Sequence, residues 1–94
     1  MQTLKITQQQ EFPGLPMQEI QIKEVRATVG DIAGRKVFIS HPFPWQWSVS
    51  EYATGYALGT GRTIHDAWDA ASETLNKYTP YEVNAAIAEH PVLN

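Results

Sequence analysis

A chain of 94 residues with seven Lys and Arg, ten Asp and Glu and no cysteine has room for one domain with one modest core. The missing thiols exclude disulfides, thiolate metal sites and a cysteine nucleophile, and a net charge of −3 argues against a general polyanion binder. No apolar run is long enough for a membrane span or a secretory segment, so the chain reads as one cytoplasmic domain over residues 1–94.

The first two-thirds of the chain carries strand signals. Leu4 and Ile6 alternate with Thr3, Lys5 and Thr7, the period of a half-buried strand. Gln8 to Glu11 and then Phe12-Pro13-Gly14-Leu15-Pro16 predict a loop. A second strand follows from Gln18 to Val29. Its apolar set is even at Ile20 and Ile22 but odd at Val25, Ala27 and Val29, which predicts a β-bulge or break at Lys23-Glu24.

Gly30 and Gly34 are expected to bracket a turn before a third strand, Arg35 to His41. His41-Pro42-Phe43-Pro44 removes two ladder donors and belongs at a strand end or edge. The fourth strand, Trp45 to Tyr52, alternates cleanly, and Thr54-Gly55 turns the chain into a fifth, Tyr56 to Gly61. An even connection pairs Val49 with Leu58, Trp47 with Thr60 and Glu51 with Tyr56. One face then carries Trp45, Trp47, Val49, Tyr56 and Leu58. The other carries Gln46, Ser48, Ser50, Ala57, Gly59 and Gly61 and reads as open and flat.

The last third is helical. Ile64, Ala67, Trp68, Ala71, Leu75 and Tyr78 share one stripe of a helix over 63–78, and Asp66, Asp69 and Glu73 group on the opposite side. Thr63 with Asp66, and Thr79-Pro80 with Glu82, are helix-start signals. The second helix is short and ends before Pro91. The strand-rich part, 1–62, holds six basic and five acidic groups, whereas residues 63–94 hold one and five. The acidity therefore belongs to the helices. The expected fold is α+β: a two-layer, antiparallel meander of four to five strands covered on one face by the 63–78 helix, followed by a short second helix.

Little in the chain supports catalysis. His41, His65 and His90 are far apart, and no two of them make a helical metal pair. Ser40 and His41 are adjacent strand residues and point to opposite faces, which rules them out as a nucleophile and base. Gly59-x-Gly61 lacks the third glycine and the lysine of a phosphate loop and reads as a tight strand-to-helix turn. No catalytic residue, metal site or cofactor is expected.

Three partial resemblances remain. Gly59-x-Gly61-x-Thr63 with Ala67, Ala70, Ala71 and Leu75 resembles the last strand and final helix of a double-stranded-RNA-binding domain. That resemblance implies phosphate contacts just after Thr63, where this chain has Ile64 and His65 instead of basic residues. Gly61-x-Thr63-x-x-x-Ala67 is similar to the strand-helix junction of HicB-type antitoxins. The block Trp45-x-Trp47-Ser-Val49 to Tyr52-Ala-Thr-Gly55, leading into the Ala-rich helix, resembles small phage and prophage proteins of the anti-CRISPR type.

The last resemblance implies a stoichiometric inhibitor that covers a surface of a host protein or ribonucleoprotein complex in the bacterial cytoplasm. Direct nucleic-acid binding is not expected, and a nucleic-acid-binding or antitoxin-like regulator is the alternative. Two surfaces are candidates for partner binding. Asp66, Asp69 and Glu73 could imitate phosphates. Trp45 beside Pro44 and Tyr52 at a turn are expected to be exposed aromatic anchors. A dimer that buries the open sheet face is a further arrangement compatible with the pattern.

Overall fold

The computed structural model describes residues 2–10 and 19–94, with side chains described at 2–6 and 22–94. Five strands, β1 (Gln2–Gln10), β2 (Glu19–Ile32), β3 (Arg35–Phe43), β4 (Gln46–Glu51) and β5 (Ala57–Gly61), pair antiparallel in the order β1-β2-β3-β4-β5. Two helices follow, α1 (Ile64–Lys77) and α2 (Pro80–Ala88). This is the α+β meander expected. No helix among the described residues is long and apolar enough to cross a membrane. The loop expected at Phe12 to Pro16 lies outside the described residues, and Gln8 to Gln10 belong to β1 and not to that loop.

The β1–β2 ladder corrects the expected bulge. Its register runs unbroken from Gln2 opposite Ala27 to Gln10 opposite Glu19. The change of phase in β2 is accommodated by exposure instead. Val25 and Ala27 are buried, and Ile22, three residues before Val25 and so on the other face, stays 54% exposed. The next turn is also narrower than expected. Ala33 and Gly34 both have positive φ, 52° and 79°, the requirement of a two-residue hairpin turn whose twist matches its strands. Gly30 is therefore a strand residue, opposite Val37 and under Trp68.

One face of the sheet is concave. In a flat sheet β1 and β4 would lie three strand spacings apart, about 14 Å. Here Gly55, at φ 70°, abuts the backbone of Lys5 and Ile6, and Tyr52 packs on the same cluster as Leu4, Ile6, Val25, Ala27 and Phe38. The sheet is coiled until the β4–β5 turn reaches the outer edge of β1. Asn94 fastens that closure. Its Oδ1 accepts from Lys5 N at 2.8 Å, and its Nδ2 donates to Lys5 O at 2.9 Å and to Tyr52 O at 2.8 Å.

This coiling overturns the expected open face. Ser40, Ser48 and Ser50 are 1%, 3% and 1% exposed on the concave side.

The convex face carries α1. Val37, Val49 and Leu58 meet Ala67 and Ala71, with Ile39, Trp47, Trp68 and Leu75 packed around them. The expected β4–β5 pairing holds beside the turn, where Glu51 N donates to Tyr56 O at 2.8 Å. The register then shifts between Val49 and Ser50, so Val49 faces Gly59, and Trp47 faces Gly61. The extra residue turns both glycines toward the helix. A Cβ on Gly59 would collide with the backbone of Ala67, Ala70 and Ala71, and one on Gly61 with Asp66 and Ala67. Absent side chains are what let α1 lie directly on β5.

Thr63 caps α1 by accepting from Asp66 N at 3.1 Å. Thr79 and Glu82 form the full capping box of α2. The ends of the expected apolar stripe, Ile64 and Tyr78, are 45% and 44% exposed.

Candidate partner-binding surfaces

Pro42 organises one end of the molecule. It has no N–H to donate, and the β3–β4 register shifts between Ser40 and Phe43 around it. On its other side the β2–β3 ladder stops at Ala27 opposite Ser40. Beyond that pair β2 and β3 separate. The expected strand end at His41 to Pro44 is thus a bulge within β3 at which the strand leaves one neighbour while keeping the other.

Two aromatic pairs stand on this bulged segment. His41 stacks on Trp47, with centroids 4.1 Å apart and planes 5° from parallel, and its Nε2 lies 3.3 Å from Pro44 O. Phe43 stacks on Trp45 at 5.1 Å and 7°. Lys23 Nζ lies 4.5 Å from the Phe43 ring centroid and donates to Pro42 O at 2.6 Å. Trp45 is 68% exposed at the tip of the β3–β4 turn, so it is presented to solvent while its ring is held by Phe43. This matches the exposure expected of it.

Tyr52 does not match. It is half-buried, meets Phe38 edge to face at 6.4 Å and 85°, and has Lys36 Nζ 3.9 Å from its ring centroid. Its position after β4 suggested exposure only for a flat sheet. In the coiled sheet the same turn folds inward, and Tyr52 serves the concave core.

Asp66, Asp69 and Glu73 are all exposed on α1, as expected. Asp69 Oδ2 sits 3.1 Å from His65 Nε2, one helical turn earlier, with both side chains largely in solvent. A pair this exposed adds little to stability, at most about 1 kcal/mol, and leaves the acids available. Asp66 belongs to the turn capped by Thr63, close to Gly61.

A cleft of about 680 Å³ joins the two candidate surfaces. Arg26, Ile39, His41 and Trp47 line it from the sheet, and Ile64 closes it from the start of α1. The hairpin bearing Trp45 and the helix bearing Asp66 therefore meet at the same end, whereas Glu73 lies about 10 Å beyond Asp66 along α1. Arg26 and the cleft were not singled out from sequence. The only local signal was the His41-Pro42 pair. Among the described residues no group of three or more His, Asp or Glu side chains is placed to hold a metal ion.

Compared with known protein families, with characterised proteins and with solved structures, the chain shows no significant match.

Proposed function

We propose that this protein acts without catalysis, by binding a host protein or ribonucleoprotein complex, and that it inhibits a nuclease-based bacterial defence in the manner of small phage proteins. The observation that carries the reading is Trp45, 68% exposed yet stacked on Phe43. An exposed tryptophan has little to offer a solitary domain. Held rigid by a neighbouring ring, it loses little conformational entropy on binding, and tryptophan is over-represented among residues that dominate interfaces. The adjoining acids Asp66 and Asp69 suit a basic nucleic-acid channel, where carboxylates take the place of phosphates and speed encounter.

The test is phage plating on bacteria with defined nuclease defences, CRISPR effectors among them, with and without this protein. Restored plaques are expected, together with a stoichiometric complex between the protein and the effector. Trp45→Ala should weaken that complex by about 2 kcal/mol or more, roughly 30-fold. Reversing Asp66, Asp69 and Glu73 to Lys should abolish it if the helix imitates phosphates, and unchanged binding removes the mimic. No protection against any of the defences overturns the reading. The alternative, a nucleic-acid-binding regulator, draws on Lys23 and Arg26 beside the two stacked aromatic pairs. Tight DNA or RNA binding in a low-salt gel shift would select it.

A further inference from the structure

We propose that the cleft between β2 and β3 receives an extended, acidic segment of the protein partner, which adds as a strand to the free edge of β2. The inference rests on the partner-binding reading and names the kind of segment bound.

The first ground is backbone. β2 runs from Glu19 to Ile32, but β3 pairs with it only from Ala27 onward. Between Glu19 and Arg26, β1 is the only strand partner β2 has among the described residues. A strand with one free side presents alternating N–H and C=O groups, which an extended peptide can match. Four consecutive residues, Lys23 to Arg26, line the cleft. Side chains of consecutive strand residues alternate between faces, so all four can line one cleft only if the strand backbone forms its wall.

The second ground is how the opening is maintained. Pro42 has no ladder donor to return to β2, and the bulge carries β3 aside. The Lys23 ammonium, bound to Pro42 O at 2.6 Å, spans the gap and holds the two strands at a fixed spacing.

The third ground is charge. The chain as a whole is at −3, yet the cleft is lined by Lys23 and Arg26 against one acid, Glu24. Arg26 is exposed, and its guanidinium has no ion-pair or hydrogen-bond partner among the described residues. A planar fork of donors without a partner fits a carboxylate. Ile39, Trp47 and Ile64 supply the apolar wall for the neighbouring side chains of the same segment. A nucleic acid could use the two cations but would leave the amide edge and the aliphatic wall unmatched, so the chemistry favours a peptide.

The full chain tests this directly. A random twelve-residue peptide library displayed on phage is selected against it, and enriched peptides are synthesised and titrated by amide NMR. Enriched sequences should carry Asp or Glu within an extended apolar pattern, and should shift the amides of Val25 and Arg26 and the Trp47 indole. N-methylation of the peptide should abolish binding at one parity of positions and spare the other. Arg26→Glu should weaken binding about tenfold or more, and Glu24→Gln should tighten it about two- to threefold. No enriched peptide, shifts confined to α1, or affinity indifferent to Arg26→Glu overturns the proposal. Tighter binding of a twelve-nucleotide oligo-U or oligo-dT at the same residues overturns it too. Loss of defence inhibition in Trp45→Ala with no peptide bound at the cleft removes this proposal alone. Peptide binding without any defence inhibition removes only the nuclease-inhibitor reading.

Discussion

The two faces of this sheet solve the burial problem in opposite ways. On the concave face, apolar side chains (Leu4, Ile6, Val25, Ala27, Phe38) fill the space left by coiling, with buried serines beside them. On the convex face, the packing comes from what is missing: Gly59, Gly61, Ala67 and Ala71 bring the backbones of β5 and α1 together. The concave core is thus held by apolar volume, and the convex one by close approach. A small residue in a strand can mean solvent, an inner corner or a seat for a helix, and only the sheet's curvature decides which.

That contrast can be broken from either side. Phe38→Ala should have the largest effect, a loss of about 3–5 kcal/mol in urea unfolding, because it empties the concave face. Gly59→Ala should cost about 1–3 kcal/mol through overpacking, although it adds a single methyl group. A Gly59→Ala protein as stable as the parent would show that α1 is not seated on β5. Asn94→Ala should cost about 1 kcal/mol, and amide exchange should accelerate selectively at Lys5. Ser40→Ala should have the smallest effect and the opposite sign. Its buried Oγ has no hydrogen-bond partner among the described residues, so removing it should stabilise by up to about 1 kcal/mol in the same unfolding assay.

Legibility followed the range of the interactions. The caps at Thr63 and Thr79 join residues three apart, and both helices were readable to within a residue or two. The meander was readable because period-2 alternation and turn residues are local as well. The Gly59 and Gly61 orientation was misread because one extra residue at Leu58 reverses their faces, and no pattern inside a five-residue strand marks it. Ser48, Ser50 and Tyr52 were assigned to solvent on the premise of a flat sheet. Curvature comes from contacts such as Gly55 with Lys5, fifty residues apart. For the candidate site, Trp45 and the α1 acids were visible by residue type. Arg26 and the cleft were not, since the opening exists only where Pro42 parts two strands that are distant in sequence.

The Asn94 carboxamide also sets an order of events. It occupies both backbone groups of Lys5 on the outer edge of β1, across a separation of 89 residues. Until those two distant residues have met, the Lys5 stretch of the edge lacks the partner that Asn94 supplies. Contacts this distant are slow to form, and an open edge is a template for pairing with other chains. Refolding yield should therefore fall as chain concentration rises and improve when a chaperone shields β1.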